Sequence, residues 1–276
     1  MRRPRSATST ISKEQAHAEV FSQLIDVVLM KSILCSGFAV PKSRDSPRLN
    51  ICFPTIIPCR PWRGALEENQ LTQVLQNLPA GDWAAGERGI ACLPGRESEF
   101  RDGVGLAVEY ARALGCAQIN CLIGNPDKSV AQHKTDEIVV ANLSYAAREL
   151  AKANIRLLVE PINKYDMPAF YLQTTRQALE LMDWVASPNL FIQYDIYHMQ
   201  RMEGELAQTM ETLLQKIAHI QVADNPGRHE PGTGEINYDY LFRALDKMGY
   251  RGWIGCEYKP ATTTAAGLSW IKQYQH

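Results

Sequence analysis

The chain has almost no net charge, no C-x-x-C cysteine pair and no apolar run of membrane length. Each lack removes a class of function. Formal net charge is -1 over 276 residues, so no global field gathers nucleic acid or an anionic membrane surface. No apolar run reaches the ~18 residues that a membrane helix needs. Lys13, Glu14, Glu19 and Asp26 interrupt the positions that a signal peptide would keep apolar. The expectation is a soluble, cytoplasmic protein acting on a small molecule, with no nucleic-acid or membrane partner. The cysteines, at 35, 52, 59, 92, 116, 121 and 256, are odd in number. That opposes a zinc site and a disulfide framework and suits free thiols in a reducing compartment. Gly232-Thr-Gly234 lacks the strand and helix that flank a phosphate loop, so a turn is expected there.

What the chain does contain is a series of short apolar runs that end in acids or amides. Ile155–Glu160, Leu190–Asp195, Ile217–Asp224 and Gly252–Glu257 are too brief for helices and rich in branched or aromatic residues. They read as buried parallel strands. Helical patterns separate them at Thr174–Val185, Glu203–Gln215 and Tyr238–Lys247, so strand and helix alternate as in βαβ units. Further strands are expected at 71–77 and 117–123, and a last helix near 264–272. The length suits one (β/α)8 TIM barrel of roughly 250 residues, whose chemistry sits where the strand C-termini open. Glu160, Asp195, Gln221 and Glu257 then converge on one face. Three acids held together are costly unless a cation binds them. Their oxygen donors suit a divalent Mg²⁺ or Mn²⁺.

Residues 1–65 differ in character. They carry 10 bases against 4 acids, whereas the remainder carries 19 against 26. Five prolines between Pro41 and Pro61 leave no clean period of 2 or 3.6. The whole of 1–276 is taken as one barrel domain, with 1–65 an anomalous segment that disrupts the first two βα units and 71–276 the regular portion.

From Leu71 to about Trp270 the sequence resembles the hydroxypyruvate isomerase family of the xylose-isomerase-like TIM-barrel superfamily. The segments that carry the likeness are Asn77-Leu-Pro-Ala-Gly-Asp-Trp-Ala-Ala-Gly-Glu-Arg-Gly, Leu93-Pro-Gly-Arg96, Val159-Glu-Pro-Ile-Asn163, Gln193-Tyr-Asp-Ile-Tyr-His-Met-Gln200, Glu230-Pro-Gly-Thr-Gly-Glu-Ile-Asn-Tyr238 and Gly255-Cys-Glu-Tyr-Lys-Pro260. The resemblance implies that Glu160, Asp195, Gln221 and Glu257 bind the metal and that Glu160 and Glu257 are the catalytic proton-transfer pair. It implies interconversion of hydroxypyruvate and 2-hydroxy-3-oxopropanoate (tartronate semialdehyde) through an enediolate, a reaction of glyoxylate metabolism that needs no organic cofactor. Alternatives are an isomerase of a longer hydroxy-keto acid such as 2-oxo-tetronate, or a ketose 3-epimerase. Homo-oligomers are implied by the family alone. Loss of one base from a stretch coding Phe-Pro-Tyr-Asp-Tyr-Pro yields Phe-Pro-Thr-Ile-Ile-Pro, residues 53–58 here, which points to a reading-frame artefact, against the alternative of a genuinely divergent N-terminus.

Three further residues are candidates for substrate binding. His198, three residues after Asp195, either steers a carboxylate, contacts a substrate oxygen or is an ordinary histidine at a strand–helix junction. Arg228 is a candidate clamp for the substrate carboxylate, against the alternative of a solvated loop arginine. Lys259 is a second candidate for that task. Asp82, Glu87 and Arg88 lie in a glycine-rich loop after the 71–77 strand, either a lid or a surface excursion.

Overall fold

Each apolar run singled out above folds as a strand, with its ends within two residues of the expected ones. The computed structural model describes residues 38–40, 48–50, 59–68 and 71–274. Eight strands close a barrel in chain order: β1 Phe38–Val40, β2 Arg48–Asn50, β3 Thr72–Asn77, β4 Gln118–Cys121, β5 Arg156–Val159, β6 Leu190–Asp195, β7 Ile217–Val222 and β8 Trp253–Cys256. Strands β2 to β8 pair in parallel. Among the described residues, no helix is long and apolar enough to cross a membrane.

The disruption expected in residues 1–65 falls on the first unit. β1 runs antiparallel to both β2 and β8, where a regular (β/α)8 barrel has eight parallel strands. The cause is loop length. Only residues 41–47 join β1 to β2, fewer than the ten to twelve that a parallel crossover needs, so the pair forms a hairpin. The second unit is more regular, because helix Cys59–Glu68 carries β2 over to β3. Phe53 to Pro58, where the frame displacement was read, lie outside the described residues.

The helices follow their capping chemistry. Thr174 and Gln177 form a reciprocal capping box that starts helix Thr175–Val185. Helix Glu97–Leu114 has Glu97 and Glu99 in its first turn and stops at Gly115 in the left-handed region. Its buried Phe100, Val104, Ala107, Ala111 and Leu114 recur at helical spacing, and the first four join the apolar layer around the barrel. Two helices lie between β6 and β7, an unexpected short one, Ile196–Met202, and Leu206–Leu213, which falls inside the expected Glu203–Gln215. Asp195 caps the first of them, and Gly204 and Glu205, at φ +68° and +46°, break the chain between them.

The barrel interior carries polar groups as well as an apolar cluster that includes Leu75, Leu158 and Trp253. Gln118 on β4 and His219 on β7 lie 3.4 Å apart, and these strands are not neighbours, so the contact crosses the lumen. Side chains alternate along a strand, which puts Asn120 and Gln221 on the same inner face, one layer nearer the C-terminal mouth. Gln76 points the other way, donating to Ala107 O on helix Glu97–Leu114.

The glycine-rich loop after β3 is fastened to itself. Glu87 accepts from the Asp82 amide and pairs with Arg96, while Arg88 stacks 4.0 Å over Trp83. Its base is a backbone crossing. A Cβ on Gly89, at φ +117°, would lie 2.0 Å from Leu122 O, so only glycine fits. Gly89→Ala is expected to destabilise the fold by about 1–3 kcal/mol from backbone strain alone, read as a lowered urea midpoint. An unchanged midpoint would mean that the crossing is not a constraint.

Candidate active site

All four sequence-predicted metal-binding residues reach the C-terminal mouth of the barrel. Glu160 directly follows β5, Asp195 closes β6, Gln221 sits near the end of β7 and Glu257 directly follows β8, its amide bonded to Val222 O at 3.0 Å. Glu160, Asp195 and Gln221 are buried, at 5%, 0% and 3% exposure. Asn120 Nδ2 donates to Glu160 Oε2 at 3.2 Å. One oxygen of Asp195 accepts from the Tyr197 and His198 amides at 2.8 and 3.3 Å. Its other oxygen, Oδ2, is buried without a hydrogen-bond partner. Gln221 Oε1 accepts from Gln193 Nε2 at 2.6 Å.

Convergence is closest among Glu160, Asp195 and His198, which each offer one ligand atom within 4.8 Å of the others. Glu257 joins the group through charge, since its Oε2 lies 3.5 Å from Arg228 Nη2. Burial first, then Glu257 and Asp195, hold Glu160 well above the usual carboxylate range. Burial likewise raises Asp195, with Arg228 and the two backbone amides working against it. Glu257 is pushed up to about 7, chiefly by burial, with Arg228 opposing and Asp195 adding to the rise.

One guanidinium thus faces three crowded carboxyls. Arg228 is pulled down by burial but raised overall by Glu257, Asp195 and Asp166. Ionised, the group carries an excess of two negative charges, which one divalent cation cancels. Asp195 Oδ2, Asn120 Oδ1 and Gln193 Oε1 are buried acceptors with no hydrogen-bond partner. The residues therefore fit a hard divalent ion.

Arg228 is placed by the loop that follows β7. Buried Asp224 accepts from the amides of Asn225, Gly232 and Ile236, which ties the loop across its base. Gly232-Thr-Gly234 forms a turn in it, with Gly232 at φ +92°. Arg228 takes φ +53°, a left-handed conformation that costs a residue with a Cβ. The guanidinium lies 3.6 Å from Asp166 Oδ2, 3.5 Å from His198 Nε2 and 5.1 Å from the centre of the Tyr197 ring. Lys259 contributes backbone to this arrangement, its amide donating to Arg228 O at 2.8 Å, while its side chain is exposed. His198 is buried and held well below the ordinary histidine value by burial, Arg228 and Arg201.

Sequence reasoning missed several neighbours of this site. Asp166 accepts from Tyr197 OH at 3.0 Å and Arg201 at 2.6 Å, and Asn163 lies against His198 Nδ1 at 2.6 Å. Asn163 stood in the quoted Val159-Glu-Pro-Ile-Asn163 segment, and Gln193 lies two residues before Asp195, hence on the same strand face. Asp166 had no such signal, because it lies on an irregular loop.

The fold and the carboxyl cluster define a class that comparison with known proteins makes explicit. The family described as xylose isomerase-like TIM barrel matches residues 45–274. Hydroxypyruvate isomerase of Escherichia coli is 58% identical over 223 residues, covering 81% of this chain and 86% of its own length. The 2-oxo-tetronate isomerase of Cupriavidus necator is 41% identical, covering 92% and 98%. A crystal structure described as AP endonuclease, family 2, from Brucella melitensis superposes with a TM-score of 0.81 at 38% identity, covering 91% and 93%. A D-allulose 3-epimerase from Methylomonas sp. shares the fold alone, at 20% identity and a TM-score of 0.64 over 85% and 81% of the two chains. The chain belongs to the xylose isomerase-like TIM-barrel family and, within it, to the hydroxypyruvate isomerase family. It is an isomerase.

The titration directions set the stability of the metal-free protein. A carboxyl raised in the folded state contributes stability at low pH that is lost as pH rises through the folded value. For Glu257 the loss runs between 4.5 and about 7, and Glu160 is shifted in the same direction. The buried histidines act oppositely, His219 falling from 6.5 to about 3, so their penalty appears as pH drops below 6.5. After EDTA treatment, the melting temperature should therefore fall as pH rises from 6.5 to 8, where the carboxyls act unopposed. Mn²⁺ at pH 8 should restore it. A flat pH profile would show that the carboxyls are not crowded.

Proposed function

We propose that the chain interconverts hydroxypyruvate and 2-hydroxy-3-oxopropanoate, with Glu160 and Glu257 as the proton-transfer pair. The observation that carries the reading is their placement. They follow β5 and β8, strands on well-separated sides of the ring, and both are raised above the usual carboxylate range, Glu257 to about 7, where a carboxyl exchanges protons near neutral pH. The identity to the Escherichia coli enzyme supports the same substrate.

A divalent ion such as Mg²⁺ or Mn²⁺, held by Glu160, Asp195, Gln221 and Glu257, would supply Lewis acidity to the oxygens of the hydroxy-carbonyl group. The chain's own residues do the rest. One glutamate takes a proton from C3 of hydroxypyruvate, which leaves an enediolate. The other delivers a proton to C2. The hydroxyl proton passes from the C3 oxygen to the C2 oxygen, so atoms and electrons balance with no oxidant and no organic cofactor. Arg228 faces the substrate carboxylate and His198 a substrate oxygen. Lys259 is placed for a lesser role, at the exposed rim.

The 41% identity to a 2-oxo-tetronate isomerase favours one second reading, the same proton transfer on a longer hydroxy-keto acid. Comparing kcat/KM for hydroxypyruvate and 2-oxo-tetronate separates the two, and a higher value for the four-carbon acid would replace the first reading. Glu160→Gln and Glu257→Gln should each fold normally and lose at least about 100-fold in kcat, since the amide keeps the shape without the base. Turnover within tenfold of the parent in either variant would remove that glutamate from the mechanism. EDTA should abolish turnover and Mg²⁺ or Mn²⁺ restore it. Activity that survives chelation would exclude the metal from the reaction.

A further inference from the structure

The hydrogen bonds around Asn163 decide which nitrogen of His198 carries a proton. Asn163 is fully buried. Its Oδ1 accepts from the backbone amides of Tyr165 and Asp166, at 3.0 and 2.9 Å. Those two amides can only donate, so the carbonyl end of the side chain must face them and the NH₂ end must face the opposite way. The NH₂ end meets two atoms, His198 Nδ1 at 2.6 Å and Asp166 Oδ2 at 3.2 Å. An NH₂ group facing a ring nitrogen at that distance requires the nitrogen to accept. Nδ1 is therefore bare, and the proton of the neutral imidazole resides on Nε2.

We propose that Asn163 is a positioning residue that holds His198 as the Nε2–H tautomer, so that His198 gives the site a hydrogen-bond donor and stands outside the metal's ligand set. The inference rests on the reading above for its catalytic meaning, though the tautomer itself does not. Nε2 lies 3.8 Å from the unpartnered Asp195 Oδ2 and 3.5 Å from Arg228 Nη2. The last contact sets two donors beside each other. A substrate oxygen seated between them accepts from both, which matches charge developing on the oxygen as the neighbouring carbon loses its proton. A protonated Nε2 cannot ligate a metal. Of the three side chains that approach within 4.8 Å of one another, only the two carboxylates remain as ligands, and the donor set is oxygen throughout.

Nitrogen-15 NMR of the full chain, labelled at histidine, reads the tautomer directly, in EDTA-treated protein and again with Mg²⁺ added. The expected spectrum has His198 with a protonated Nε2 and a bare Nδ1 in both states. A protonated Nδ1, or loss of the Nε2 proton when Mg²⁺ is added, overturns the proposal whether or not hydroxypyruvate is the substrate. Asn163→Asp adds a second readout. The carboxylate still accepts from the two backbone amides but presents an acceptor to Nδ1, so the proton should move there and kcat should fall about 10- to 100-fold. Wild-type tautomer and turnover in Asn163→Asp would show that Asn163 only shapes its loop. If that variant does not fold, the wild-type spectrum alone still decides.

Discussion

Three crowded carboxyls against one guanidinium is the constraint on which the rest of the site depends. Glu160, Asp195 and Glu257 each resist ionisation through burial, and repulsion between the acids adds to it at Glu160 and Glu257. Arg228 relieves part of that repulsion, and a divalent ion would relieve the remainder. The same crowding that costs stability holds Glu257 at about 7 and Glu160 well above the usual carboxylate range. Asp195 shows how closely stability and function are joined, since one of its oxygens caps helix Ile196–Met202 and the other faces the cluster.

Around the acids lies a second layer that aims rather than reacts. Asp166 accepts from Arg201 and Tyr197 and lies against Arg228. Asp224 ties the loop that forces Arg228 into a left-handed backbone. Asn163 links the Asp166 group to His198. These contacts fix donors and acceptors at the barrel mouth before any substrate arrives, which is how a site made of flexible side chains acquires a defined geometry.

The barrel closes despite its first strand. β1 enters as one arm of a hairpin because the segment before β2 is too short for a crossover helix. Its pairing with β8 completes the ring, so the strand that bears Glu257 at its end has a partner on both sides. The candidate site draws all its named side chains from residues after Leu71, where the strands are parallel.

The strands from β3 onward were legible in the sequence because buried parallel strands leave short apolar runs between amphipathic helices. The polar residues at their ends were legible because apolar runs make them conspicuous, and the likeness to a known family named the same four. The short helix Ile196–Met202 ahead of Leu206–Leu213 was not legible, since the left-handed backbone at Glu205 that separates them has no propensity signal. Nor was the antiparallel first strand, because pairing direction depends on which strand end can reach β8. By itself, then, the sequence determined the βα repeat, the four polar residues at the strand ends and the chemistry of their oxygens, all of them properties of local pattern and residue type. Only the tertiary structure decided how Arg228 neutralises the acids and which way the Asn163 amide and the His198 ring face. Those outcomes depend on loops that local pattern does not place and on contacts between residues some 30 or more positions apart.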